Sequence, residues 1–308
     1  MQKINKVLLL YGGWNAERAV SLSSTPDIVA ALKTNGYEVI TYDFDRDLIC
    51  LLTLIKEEKP DVVFNNVYGR YGEDGHVQGA LEIMGIPYTH SGLYASAAAM
   101  FKPFTQMILR AHGIPVAPHT LEENLDPTHP PQKYPFVLKP CDEGSSIGVG
   151  IIRSDADYKA YIKTRVPEIR YPLMAETYIP GTELSVVVLE GKAYGIMEIR
   201  PTKEFYDYTA KYIDKVTAHI YPAEIPTDIY QICLSYGEKA YAALRCQGLA
   251  RVDIRFDTER GSDGIFVLEV NPQPGLTSLS IAPEVMENNG MSFPSLVKQI
   301  VEGARCPG

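Results

Sequence analysis

Leu249-Ala-Arg-Val-Asp-Ile-Arg-Phe256 and Ile265-Phe-Val-Leu-Glu-Val-Asn271 are the stretches on which the fold turns. Both alternate apolar and polar residues, as a strand with one buried face does. The turn-rich residues 258–264 between them predict an antiparallel hairpin. With Phe256 opposite Phe266, Asp253 falls opposite Glu269 and Arg251 opposite Asn271, all on one face. Carboxylates facing each other about 5 Å apart across a ladder repel unless a cation lies between them. Asp, Glu and Asn together offer the oxygen ligands of a hard divalent ion, and magnesium commonly shares such a site with substrate phosphates. An exposed sheet face on which Arg251 and Arg255 neutralise the acids satisfies the same spacing. On spacing alone the two readings stay level.

Working outward, strands are predicted at residues 184–190 and 194–200, with a helix at 227–245 between these and the hairpin. The first third reads differently. Strands at 6–11, 37–44 and 61–67 alternate with helices at 21–35 and 48–59, the pattern of a parallel sheet with helices on both faces. Ligands in such folds sit beyond the carboxyl ends of the strands, where the polar, glycine-rich loops 12–17 and 68–75 lie. An alanine-rich helical pattern at 93–112 leads out of this unit, and the proline-rich stretch 120–134 reads as a surface connection. Strand, glycine loop, strand and helix come next, at 134–139, 141–150, 151–153 and 155–165. The fold class is therefore α/β passing into α+β.

At 308 residues the chain is about twice a typical domain, which allows two or three domains with ample core. A net charge of -9 lacks the basic footprint of a nucleic-acid protein. It does not exclude a phosphate compound, which a few lysines and backbone N–H groups can hold locally. Five widely spaced cysteines without a C-x-x-C fit reduced thiols in a cytoplasm. The apolar run 7–11 is too short for a signal sequence, and no run approaches the roughly 18 residues of a membrane span. The six histidines show no zinc spacing.

Three further segments carry chemistry. Lys139-Pro-Cys-Asp-Glu-Gly-Ser-Ser-Ile-Gly148 succeeds a strand and offers backbone N–H groups and hydroxyls to a phosphate. It also matches the G-x-S-x-G of serine hydrolases, but residues 149–152 are strand-like and His219 is the only downstream histidine. A tight turn without a ligand is the plain alternative. Phe205-Tyr-Asp-Tyr-Thr-Ala-Lys-Tyr212 puts four aromatics and a lysine in a polar stretch, as a loop closing over a site does; a loop packed permanently on the core would look the same. Glu176-Thr-Tyr-Ile179 lies between two strand-like stretches, where Tyr178 and Ile179 could sandwich a flat ring or simply pack in the core.

Together with Gly12-Gly-Trp-Asn-Ala-Glu-Arg-Ala-Val-Ser-Leu22, Tyr68-Gly-Arg-Tyr-Gly-Glu-Asp-Gly75, Gly85-Ile-Pro-Tyr-Thr-His-Ser-Gly92 and Glu269-Val-Asn-Pro-Gln-Pro-Gly-Leu-Thr-Ser-Leu-Ser280, these segments resemble the D-alanine–D-alanine ligases of the ATP-grasp superfamily, from Val7 to about Val301. The resemblance implies a three-domain ATP-grasp fold: a Rossmann-like domain at 1–98, a central subdomain at 99–183 and a C-terminal subdomain at 184–308. It implies ATP-dependent ligation of two D-alanines through a D-alanyl phosphate, for a peptidoglycan precursor, by a cytoplasmic homodimer. By matching position, Lys102, Lys139, Glu176, Tyr178, Ile179, Glu183, Phe205 and Lys211 would hold ATP. Asp253, Glu269 and Asn271 would carry two Mg2+ (or Mn2+) ions. Glu17 would take the first ammonium, linked by hydrogen bonds to Ser145 and Tyr212. Arg251 and the Gly275 N–H would face the oxyanion, Ser280 and Ile281 the second carboxylate, and Tyr68 and Glu73 would line the substrate site.

The chain departs from the family pattern at Tyr68, where histidine is usual, at Phe101 for aspartate, and at Pro272 and Leu276 for threonine and methionine. Tyr212 is the residue associated with dipeptide rather than depsipeptide formation. A ligase joining another amino or hydroxy acid, and a nucleotide-binding protein without turnover, are the competing readings.

Overall fold

The computed structural model describes residues 3–166, 172–200 and 218–306. Three sheets organise it. The first is parallel, in the order β2-β1-β3, from β1 (Lys6–Gly12), β2 (Glu38–Phe44) and β3 (Val62–Asn65). Its central strand is buried on both faces, which is why its sequence is a continuous apolar run. Leu8 and Leu10 pack with Leu51 and Ile55 of α2 (Leu48–Glu58). Val7 and Leu9 pack with Ile28 and Leu32 of α1 (Arg18–Thr34). Helix α1 starts three residues before the predicted position because Val20 and Ser21 already bond back to the Glu17 carbonyl, ahead of the apolar stripe.

The second sheet is antiparallel, in the order β4-β7-β5-β6: β4 (His119–Glu122), β5 (Phe136–Pro140), β6 (Gly150–Ile152) and β7 (Leu173–Thr177). The short β4 falls at the start of the stretch read as a bare surface connection; its backbone pairs with β7 although its side chains are mostly exposed. The third sheet, also antiparallel, runs β10-β9-β8-β11-β12, from β8 (Thr182–Leu189), β9 (Lys192–Arg200), β10 (Ala218–Ile220), β11 (Leu249–Phe256) and β12 (Ile265–Asn271). One face carries a helix at Thr227–Ala243; the other packs on helices at Ile281–Asn288 and Phe293–Glu302 and shares their core with α1. No helix among the described residues is long and apolar enough to cross a membrane.

Two departures from the predicted elements shape the site. The single helix expected over 93–112 is two, α4 (Leu93–Met100) and α5 (Lys102–Ala111), after α3 (His76–Ile83), with Phe101 extended between them. Pro103 has no N–H to donate to Ala99, and its ring would crowd that carbonyl in a continuous helix. The Thr105 hydroxyl takes over, donating to Ala98 O at 2.8 Å and to Ala99 O at 3.3 Å. The second departure is in the hairpin. Arg251 faces Asn271 and Asp253 faces Glu269 as predicted, but Phe256 pairs with Ile265, not Phe266. The shift lies between Asp253 and Ile254, where Leu268 is the extra residue of a β-bulge. The bulge reverses the faces beyond it: Ile265, Val267 and Val270 enter the core, whereas Phe266 packs with Ile179 and Ala117.

Replacing Thr105 by Val is expected to lower stability by about 1–2 kcal/mol, because the two carbonyls at the helix break lose their donor; urea unfolding measures it. A second expectation concerns His90, buried beside Phe64 with its Nδ1 unbonded. Burial pulls its pKa down to about 3, whereas an unfolded histidine titrates near about 6.5. The unfolded chain alone takes up that proton, so stability is complete above the unfolded value and declines as the pH falls from there toward the folded one. His90→Asn, which tolerates the positive φ of 68°, should show a shallower loss of stability between neutral pH and pH ~5 than wild type in denaturant titrations.

Candidate active site

The three sheets meet along a seam holding two adjoining cavities. The larger is walled by Lys139 of β5, the glycine loop, the β7–β8 junction and the β11–β12 hairpin. The smaller lies between the first unit and the loop after β12. Lys102, Gly144, Ser145 and Glu269 line both, so the two cavities adjoin along these residues.

In the larger cavity the structure brings together Lys102, Lys139, Glu176, Tyr178, Ile179 and Glu183, with Asp253 and Glu269 beyond them. Lys139 Nζ and Glu176 Oε2 form a buried ion pair at 2.6 Å. The other oxygen of Glu176 accepts from Gln106 Nε2 at 2.5 Å. Gln106 was missed from sequence; its only signal is that it lies four residues after Lys102 and so shares its helix face. Because of the break at Phe101, Lys102 meets the glycine loop end-on, its N–H on Cys141 O at 2.9 Å and its Nζ on Glu143 O at 2.5 Å. Arg255 neutralises no acid on the hairpin. It donates to Ile179 O and Gly181 O, at 3.1 and 2.9 Å, and lies 3.5 Å from Glu183. The bulge turns Leu268 toward this cavity beside Glu269, an apolar wall next to an acid.

Glu17, Tyr68, Glu73, Arg251, Asn271 and Gly275 line the smaller cavity. Ser145 Oγ donates to Glu17 Oε1, joining the glycine loop to the start of α1. Gly69, with a φ of 69°, packs against the Glu17 carboxylate, where any Cβ would collide, and its N–H donates to Glu73 Oε2 at 2.6 Å. Glu73 has its pKa raised well above the usual carboxylate range, first by burial and then by the nearby charge of Glu17. Arg251 grips Asp253 with Nε and Nη2, both at 2.8 Å, and Ser185 Oγ donates to the same carboxylate at 2.6 Å. Of the ligand-free reading of the hairpin, the Arg251–Asp253 pair forms, but on a largely buried face rather than an exposed one, and Arg255 pairs elsewhere.

Ser280 lies beside Gly275, a Cβ on which would sit 2.8 Å from Ser280 Oγ. It accepts from the Thr277 N–H at 3.0 Å and precedes the helix that Ile281 begins. Phe205, Lys211 and Tyr212 lie outside the described residues. After Gly144–Gly148 the chain enters β6, not a helix, and Ser145 bonds to an acid, so the loop lacks the strand-to-helix setting of a hydrolase nucleophile.

No three His, Cys, Asp or Glu side chains among the described residues cluster to hold a metal. Asp253 and Glu269 face each other across the ladder with the Asn271 amide two residues on. This all-oxygen donor set with only two charges fits magnesium that completes its shell with phosphate and water.

Glu73→Gln is expected to change the pH dependence of stability. Since the folded pKa of Glu73 is raised, its contribution is complete below the unfolded value of about 4.3 and is lost as the pH rises through the folded value. The variant should therefore be more stable than wild type at neutral pH, with the difference vanishing near pH ~4; urea unfolding at several pH values reads it.

Residues 108–302 match the family model described as D-ala D-ala ligase C-terminus. A D-alanine--D-alanine ligase from Sphingopyxis alaskensis is 45% identical over 303 residues, 97% of each chain. Among solved structures, the D-alanine--D-alanine ligase from Bacillus anthracis complexed with ATP superposes with a TM-score of 0.82 at 29% identity, over 98% of this chain and 97% of that one. A D-Ala:D-Ser ligase from Enterococcus faecalis gives 0.80 at 26% identity, over 97% of this chain and 99% of its own. The seam between the sheets, with its paired lysine and its facing acids, thus sits in an ATP-grasp fold, and the chain belongs to the D-alanine–D-alanine ligase family.

Proposed function

We propose that the chain joins two D-alanine molecules into D-alanyl-D-alanine with conversion of ATP to ADP and phosphate, supplying a peptidoglycan precursor. The observation that carries this reading is the adjacency of the two cavities: a cleft with the lysines for a nucleotide shares Lys102, Ser145 and Glu269 with the cavity lined by Glu17, Arg251 and Gly275. The geometry suits phosphoryl transfer from one cavity to a carboxylate in the other.

A carboxylate is a poor electrophile, so the first D-alanine takes the γ-phosphoryl group of ATP, forming a carbon–oxygen–phosphorus link as ADP leaves. Lys102 and Lys139 would counter the phosphate charge. Tyr178, Ile179 and Leu268 would flank the adenine, and Glu176 and Glu183 would hold the nucleoside. Asp253, Glu269 and Asn271 would hold magnesium, which when bound supplies positive charge against the transferring phosphoryl group. Glu17, kept in place by Ser145, would take the ammonium of the first D-alanine.

The second D-alanine binds with its carboxylate toward Ser280 and the Ile281 N–H, at the positive end of a helix. Its amine loses a proton and attacks the acyl carbon, and phosphate departs. Arg251 and the Gly275 N–H would stabilise the oxyanion. The guanidinium carries five donors, and the pair with Asp253 uses two of them. Lys211, Phe205 and Tyr212 would close over the site and keep water from the acyl phosphate. Tyr212 favours an amine as the second nucleophile. The three-domain division at 1–98, 99–183 and 184–308, the homodimer and the cytoplasmic setting belong to the same reading; sedimentation velocity tests the dimer.

Incubation with ATP, magnesium and D-alanine should yield D-alanyl-D-alanine by mass, with D-serine and D-lactate as competing second substrates. Arg251→Ala should retain nucleotide binding but lose about 100-fold or more in kcat, the scale of one lost oxyanion donor. Near-normal turnover by that variant would sink the role of Arg251.

A further inference from the structure

The first unit and the loop after β12 are joined by buried side-chain amides and a phenol. Asn65, at the end of β3, is 0% exposed, and Gln273 is 2% exposed. Asn65 Nδ2 donates to Gln273 Oε1 at 2.9 Å and to Gly72 O at 2.8 Å. Gln273 Nε2 donates back to Val67 O at 2.9 Å, and the Gln273 N–H donates to Asn271 Oδ1 at 3.0 Å. A second strut lies three residues on, where the Leu276 N–H donates to the Tyr68 phenol oxygen at 3.1 Å. One end of this stitching carries Gly69, wedged against Glu17 and bonded to Glu73. The other end carries Asn271 and Gly275.

We infer that Gln273 and Tyr68 are positioning residues that hold the Asn271–Leu276 loop in register with the Glu17 subsite, so that the acyl phosphate meets the amine rather than water. The inference rests on the ligase reading above and extends it to coupling. Gln273 does not line the smaller cavity, so it acts through Asn271 and the loop. Both polar ends of its side chain are bonded, so the loop cannot slide without leaving buried groups unpaired, which is unfavourable. Alignment within about 1 Å decides rates in such sites. A loop that drifts by this much would still permit phosphoryl transfer, which depends on the larger cavity, while slowing attack by the amine. The acyl phosphate would then be open to water, which adds to the acyl carbon and releases D-alanine and phosphate.

Tyr68→Phe removes only the phenol oxygen, and Gln273→Glu keeps the shape and the acceptor while losing the donor to Val67 O. The experiment measures ADP and D-alanyl-D-alanine formed in the same reaction, together with KM for ATP and the melting temperature. Wild type should give one ADP per dipeptide. Each variant should raise that ratio at least about twofold, with KM for ATP within about twofold of wild type. A merely structural role would lower the melting temperature and the active fraction but leave the ratio at one; that result in both variants overturns the inference. A wild-type protein that makes no dipeptide overturns the ligase reading itself, which the wild-type ratio reports separately from the variants.

Discussion

Five carboxylates are buried among the described residues, Glu17, Glu73, Glu176, Glu198 and Asp253, and the rest of the site depends on how their charge is compensated. A buried charge is tolerated only when paired or hydrogen-bonded. Each acid is answered by a partner from elsewhere in the chain or from its own strand. Lys139 and Gln106 serve Glu176, Arg251 and Ser185 serve Asp253, Ser145 serves Glu17, Gly69 serves Glu73, and Arg200 serves Glu198. Glu17–Ser145 and Glu176–Gln106 tie one sheet unit to the next. Compensation of charge and assembly of the cleft are thus the same set of contacts. Asp253 is held by a two-toothed guanidinium, whereas Glu73 has its pKa raised first by burial and then by the charge of Glu17.

Local irregularities do the aiming. The break at Phe101 turns Lys102 end-on to the glycine loop, and the bulge at Leu268 puts an apolar side chain beside Glu269 on the nucleotide wall. Both are departures from the regular period, and both fall at the seam. Regular elements supply rigid, buried backing: β1 on two cores, β8 and β11 under the long helix, and β5 against α6 (Asp155–Thr164). The same division explains the acidic net charge, part of which is concentrated where an ammonium and a cation–phosphate complex would meet it.

Much of this was legible in the chain itself. Alternation in residues 249–256 and 265–271 set Asp253 opposite Glu269 through an assumed Phe256–Phe266 pair; that pair does not form, and the facing acids hold because the bulge at Leu268 restores the register. The register of Phe256 was not legible: a bulge conserves the apolar count while shifting it by one, and Ile-Phe-Val-Leu reads equally well on either face. The helix break was half visible in Pro103. Gln106 carried only its four-residue spacing from Lys102, and Gln273 and Asn65 carried no local signal, since an amide becomes structural only through a partner, here as much as 208 residues away.

The strand–helix alternation of the parallel first unit, the existence of the hairpin and the family resemblance were therefore determined by the sequence alone, through periodicity and motif spacing that act over a few residues. Which arginine serves an acid and which serves a backbone carbonyl, how Leu268 faces, how Lys102 reaches the glycine loop and how Asn65 grips Gln273 were decided only by the tertiary structure. Their physical reason is common. Each satisfies a buried polar or charged group, or fills a wall, whose surroundings come into being only when distant segments have packed.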